Sequence, residues 1–210
     1  MQAEIEVKFI DVDVSDVRSR LERIGATLQQ PMHDMRRVVI EEPHHAAEHS
    51  FIRIRDEGDK TTLTFKRRTK PDGTTTIDST HELETTVGDF DTTVKIFAEA
   101  GWKYLTYQES RREIWYVGDV EVVIDEWPWI KPYIEIEASS EEAVRQVASE
   151  LGFDWSEAVF GSVDLIYNRD FPNATVRGVI DIKEVRFDDP VPAEFGEARL
   201  VKQVSNKGEK

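Results

Sequence analysis

Glu4-Ile5-Glu6-Val7-Lys8-Phe9 alternates charged and apolar side chains one residue at a time. Successive strand side chains point to opposite faces, so Glu4, Glu6 and Lys8 share one face while Ile5, Val7 and Phe9 share the other. Two carboxylates and a lysine make a poor half of an apolar core. They make a good seat for a hard cation that holds a phosphate.

The same alternation recurs along the chain. Arg53 and Arg55 interleave with Ile52 and Ile54, Lys66 follows Thr64 around Phe65, and Glu82 and Glu84 flank Leu83. Arg112 lies in opposite phase to Arg111. Glu121, Val123 and Asp125 share a face, as do Glu135 and Glu137. Strands are expected near 3–10, 35–41, 50–56, 61–68, 80–87, 104–117, 120–127 and 132–138, with turns at Val117-Gly-Asp-Val120 and Pro71-Asp-Gly73. Helical spacing predicts three helices: Ser15–Ile24 before Gly25, Phe90–Ala100 before Gly101, and one from Ser140 to Leu151 before Gly152.

Composition narrows the chemistry. The 210 residues suffice for one domain with a substantial core, and the absence of cysteine excludes disulfides, thiolate metal sites and thiol nucleophiles. No apolar run approaches the roughly 20 residues of a membrane span and no targeting signal is read before the first strand, so a cytoplasmic protein is expected. The net charge of −15, from 42 acidic and 27 basic residues, disfavours duplex nucleic acid as a partner. Basic residues concentrated on a few strand faces still suit a small polyphosphate.

Each strand alone fits a sheet with one face in water. Like-charged pairs two residues apart, however, repel unless an opposite charge sits between them. Closing about eight strands into a barrel, charged faces inward and helices outside, brings the acidic and basic sets together around a lumen that admits one small ligand. That ligand must itself be anionic to balance Arg53, Arg55, Lys66 and Arg112. A metal–polyphosphate complex satisfies both sets.

In order, Glu4-x-Glu6-x-Lys8, Arg53-x-Arg55, Lys66, Glu82-x-Glu84, Arg112, Asp125 and Glu135-x-Glu137 resemble the CYTH family, also called the triphosphate tunnel metalloenzymes. The family includes class IV adenylyl cyclases, thiamine triphosphatases and inorganic triphosphatases. The resemblance covers roughly residues 3–168, with Gly161–Tyr167 similar to the family's final helical segment. It implies an α+β fold built on a closed, antiparallel eight-stranded barrel with helices outside. A tunnel domain over 1–170 is expected, then an extension over 171–210 with one further strand and a flexible surface tail.

For the site, the resemblance implies Mg²⁺ or Mn²⁺ on Glu4, Glu6, Asp125, Glu135 and Glu137, with Glu82 and Glu84 either taking a second metal or orienting basic side chains. Lys8, Arg53, Arg55, Lys66 and Arg112 would hold the triphosphate, and Lys8 would also activate water if its surroundings lowered its pKa. The chain departs from the family at Ser110, where a basic residue in phase with Arg112 is expected; either Arg111 replaces it or one phosphate contact is missing. The implied activity is metal-dependent hydrolysis of inorganic triphosphate, thiamine triphosphate or ATP. A class IV cyclase making cyclic AMP and a non-catalytic polyphosphate-binding module are the alternatives; a homodimer is admitted, and no membrane or duplex nucleic acid partner is expected. The histidines of Pro43–His49 read as loop residues rather than zinc ligands. Trp127 and Trp129 fit either outer packing or stacking on a ring carried by the ligand.

Overall fold

The computed structural model describes residues 2–68, 76–77 and 80–199, with side chains from Ile5 onward in the first strand. The turn expected at Pro71-Asp-Gly73, the terminal Lys202–Lys210 and the side chain of Glu4 lie outside the described residues.

In chain order the elements are β1 (Gln2–Phe9), α1 (Val14–Arg23), β2 (Thr27–Ile40), α2 (Pro43–Ala47), β3 (Ser50–Asp56), β4 (Thr61–Arg68) and β5 (Thr80–Val87). Next come α3 (Phe90–Glu99), β6 (Thr106–Val117), β7 (Val120–Glu126), β8 (Tyr133–Ala138), α4 (Glu141–Glu150), α5 (Asp164–Asp170) and the two-residue β9 (Glu184–Val185). The antiparallel order is β2-β3-β4-β5-β1-β8-β7-β6, and β6 pairs in turn with β2, so the hydrogen-bonded succession returns to its first strand. This is an α+β fold with an antiparallel sheet and outer helices. Gly118, at φ 59°, takes the first central position of the two-residue β6–β7 turn, where positive φ favours glycine.

The apolar strand faces carry the core. Val7 and Phe9 of β1 pack with Val122, Ile124, Ile134 and Ile136, against Val17 and Leu21 of α1 and Val144, Val147 and Leu151 at α4. Asp13 starts α1 by accepting from the Ser15 and Asp16 amides at 2.8 and 3.2 Å, a cap worth about 1 kcal/mol. On another part of the sheet, Phe90 of α3 covers Val38, Ile40 and Ile54.

Three sequence expectations change. Strand β2 begins at Thr27 rather than near residue 35, and its pairing with β6 shifts between Leu28 and Gln30 and again between Gln30 and His33. Pro31 lies within the second shift; without an N–H it cannot donate to a regular ladder, and the irregularity accommodates it. The 43–49 segment contains the short helix α2, begun by Pro43 and a capping box between Glu42 and His45. The 188–197 stretch, expected as surface tail, is held down at Phe195, which packs with Tyr167 and Phe171; the Tyr167 hydroxyl donates to Pro128 O at 2.6 Å, and the further strand of the extension, β9, pairs in parallel with β6. Aromatic burial, absent from a pattern reading of that acidic stretch, holds it down.

Candidate functional site

The charged strand faces meet around one cavity of about 680 Å³, within the range of pockets that enclose small organic ligands. Among the described residues, eight lysines and arginines line it: Lys8, Arg37, Arg53, Arg55, Lys60, Lys66, Arg68 and Arg112. Ten carboxylates line it as well among the described residues, so the interior is densely charged with both signs, a setting for a metal cation and an anion together.

One wall is acidic. Register places Glu6 opposite Glu137 and Lys8 opposite Glu135 across β1 and β8. The carboxylates of Glu6, Glu135 and Glu137 each offer an oxygen within 4.8 Å of the others, an all-oxygen set suited to Mg²⁺ or Mn²⁺. Lys8 is only 3% exposed and donates to Glu6 Oε1 at 2.6 Å, with Glu135 Oε2 at 3.1 Å. Burial pulls the ammonium's pKa down, but Glu135 and Glu6 outweigh it and hold the pKa above the usual lysine range. Burial pushes Glu135 toward the neutral form, whereas Lys8 and Arg112 prevail and keep it well below the usual carboxylate range.

Asp125 engages Arg112 instead of joining that three-carboxylate group: the guanidinium donates to both carboxylate oxygens at 2.7 and 2.6 Å, with Glu135 at 3.7 Å. This bidentate pair fixes Arg112 toward the cavity.

The opposite wall is basic, with carboxylates among the cations. Lys66 reaches Glu82 at 3.3 Å, and Arg53 reaches Thr64 and Glu84 at 3.2 and 3.4 Å. Glu82 and Glu84 thus sit as partners of basic side chains. Arg55 donates to Glu57 at 2.9 Å, and Thr62 donates to the same carboxylate at 2.9 Å. Burial acts to raise the Glu57 pKa, but Arg55, Thr62 and Lys60 bring it down to about 2.

Sequence reasoning missed Glu57, and more consequentially Arg37. Arg37, 8% exposed, projects from β2, donates to Ser110 Oγ at 2.9 Å and lies over the Trp127 ring at 4.5 Å. Burial and the nearby Arg55, Arg53 and Arg112 push its pKa down, and among the described residues it has no ion-pair partner. Arg37 therefore stands where Ser110 leaves a basic group missing. Arg111 does not: it pairs with Asp34 at 2.8 Å and lies over Phe187, in an unshifted register with β7. The available sequence signal was Arg36-Arg37 beside an apolar run, which forces one of two adjacent arginines inward.

The chain's residues 2–159 match the family model for the CYTH domain, and the chain belongs to the CYTH family. Among solved structures, a conserved protein of Pyrococcus furiosus is 22% identical, with a TM-score of 0.63 over 77% of this chain and 98% of its own. A Vibrio parahaemolyticus protein, provisionally assigned as an adenylate cyclase, is 13% identical with a TM-score of 0.66, over 79% of this chain and 97% of that one. A Hippeastrum protein described as having dominant triphosphatase activity is 16% identical, with a TM-score of 0.51, over 80% and 94% of the two chains. At these identities the likeness shows the fold, and the activity must be argued from the site. No curated protein matches the chain. Among the described residues no helix is long and apolar enough to cross a membrane.

Proposed function

We propose that this protein is a divalent-metal-dependent triphosphatase whose ring of strand pairings forms a closed tunnel around the substrate. The observation that carries the reading is Arg37, a buried guanidinium without an ion-pair partner among the described residues, beside Arg55 in the β2–β3 ladder and near Arg53 and Arg112, in a cavity with three carboxylates on another wall. A buried charge without a counter-ion is costly, and a polyanion would relieve that cost.

Glu6, Glu135 and Glu137 would hold Mg²⁺ or Mn²⁺, joined by Glu4, the further ligand expected from the sequence. The bound metal would supply a Lewis acid that stabilises charge on phosphoryl oxygens. Arg112, already fixed by Asp125, and Arg37, Arg53, Arg55 and Lys66 would grip phosphate oxygens and stabilise the departing phosphate. Lys8 acts in this reading as a proton-bearing donor that orients Glu6 and Glu135, rather than as a base. Most of the catalysis would come from alignment and charge neutralisation.

Product analysis with tripolyphosphate, ATP and thiamine triphosphate, each in Mg²⁺, Mn²⁺ or EDTA, tests the proposal. Metal-dependent phosphate release supports it. Cyclic AMP with pyrophosphate would replace it by a cyclase, and binding without product by a polyphosphate-binding module.

A further inference from the structure

Tyr116, Glu121, Glu137 and Glu6 form one row across β6, β7, β8 and β1. Register pairs Tyr116 with Glu121, Glu121 with Glu137, and Glu137 with Glu6. All of them line the cavity, at the end of the strands that carries the β6–β7 turn. Carboxylates directly opposite one another destabilise a sheet unless something offsets their charge. Lys8 does this for Glu6 and Glu135, whereas Glu121 has no ion-pair partner among the described residues. Its partner is neutral: the Tyr116 hydroxyl donates to Glu121 Oε2 at 2.5 Å.

That hydrogen bond ties one carboxylate oxygen to β6, and Glu121 stays outside the group formed by Glu6, Glu135 and Glu137. It also leaves Oε1 with no donor among the described residues, so a half-buried carboxylate beside the candidate metal seat keeps an open acceptor. A phenol stays protonated at neutral pH, so the Tyr116 donor is always in place.

Hydrolysis of a triphosphate needs a group that orients the attacking water and takes its proton. Lys8 is engaged as a donor to Glu6 and Glu135. Asp125, Glu57, Glu82 and Glu84 are paired with Arg112, Arg55, Lys66 and Arg53. Asp59 is exposed in the β3–β4 turn, and Asp164 lies on α5, which packs at Pro128, past the opposite end of β7. Glu121 is left, one strand from Glu137 and without a cation of its own.

We propose that Glu121 orients and deprotonates the attacking water, and that Tyr116 is the positioning residue that holds it. The water oxygen forms a bond to the terminal phosphorus as its proton passes to Glu121 Oε1. The bond from that phosphorus to the bridging oxygen breaks, and its electron pair leaves with the diphosphate portion. The proposal rests on the triphosphatase reading above and assigns a catalytic residue to it.

The test follows hydrolysis of tripolyphosphate and ATP in Mg²⁺, with calorimetric Mn²⁺ affinity and melting temperature as readouts that do not depend on turnover. Glu121→Gln is expected to lower kcat about 100-fold, the low end for a general base, while KM, Mn²⁺ Kd and melting temperature stay close to wild type. Glu137→Gln should instead weaken Mn²⁺ binding. Tyr116→Phe, which removes one oxygen and leaves the ring, should lower kcat about tenfold. It should add little to Glu121→Gln when the two are combined, because they act as one unit. If Glu121→Gln fails to fold, Tyr116→Phe decides by the same separation of kcat from KM and melting temperature. Wild-type kcat in either single variant would overturn the proposal. So would a fall in Mn²⁺ affinity matching that of Glu137→Gln, which would make Glu121 a metal ligand, or a Tyr116→Phe loss that tracks the melting temperature. In each of those cases the triphosphatase reading stands as long as wild type releases phosphate. Wild type that releases none, or that forms cyclic AMP from ATP, would overturn both.

Discussion

The acidic wall on β1, β8 and β7 and the basic wall on β2, β3 and β4 handle buried charge differently. On the acidic wall the partners come from neighbouring strands: Lys8 bridges Glu6 and Glu135, and Arg112 reaches Asp125 across the β6–β7 pairing. Three carboxylates still converge there. On the basic wall Arg55, Lys66 and Arg53 have local carboxylates, Glu57, Glu82 and Glu84, whereas Arg37 has no ion pair among the described residues and its hydrogen bond goes to neutral Ser110. One wall thus has anions to share with a cation, and the other has a cation to share with an anion. Removing one partner from a buried charge pair costs more than the pair contributes, so each wall should be sensitive at different positions.

The largest effect is expected on the acidic wall. Glu137→Gln should lower metal-dependent turnover by at least about 100-fold, because the lost anionic ligand weakens the metal's charge stabilisation. Circular dichroism should remain unchanged, and EDTA should reproduce the loss in wild type. Full activity in the variant would remove Glu137 from the metal site.

On the basic wall the next effect is in stability. Glu57 has its pKa lowered to about 2 from an ordinary value of 4.5, so its contribution is fully present above about pH 4.5 and fades as pH falls toward 2. The difference corresponds to at most about 3 kcal/mol. Urea unfolding across that window should show Glu57→Gln less stable at neutral pH and with a shallower acid slope; parallel curves for the two proteins would sink the assignment.

Arg37→Met separates function from stability. Substrate affinity should fall about tenfold with loss of a charge-assisted hydrogen bond, while the melting temperature holds or rises because a buried charge without a partner is gone. A fall in both would show that Arg37 serves the fold. The smallest effect belongs to Arg111→Ala. Its partner Asp34 is exposed, so turnover should stay within about twofold and stability within about 0.5 kcal/mol.

Much of the fold was legible because charged and apolar residues alternate with period two, and three helices are bounded by Gly25, Gly101 and Gly152, each at positive φ. The first half of β2 was not legible, since Gln29-Gln30-Pro31-Met32 lacks that alternation and contains a residue without an N–H. The site was legible as strand faces, including Glu6, Arg53, Lys66, Arg112 and Glu135. It was not legible as partnerships. Asp125, expected among the metal ligands, is paired with Arg112, and the residue answering the gap at Ser110 lies 73 positions away on β2.

The sequence by itself determined which side chains share a face, because strand geometry makes that a local property of neighbouring residues. It also determined that those faces are too charged for an apolar core. Only the tertiary structure decided that they line a common cavity, that β6 meets β2, and that residues beyond 160 add Asp164 and Val179 to its wall. Those outcomes depend on contacts between residues far apart in the chain, and on burial, which turns an ordinary arginine into a charge in need of a partner.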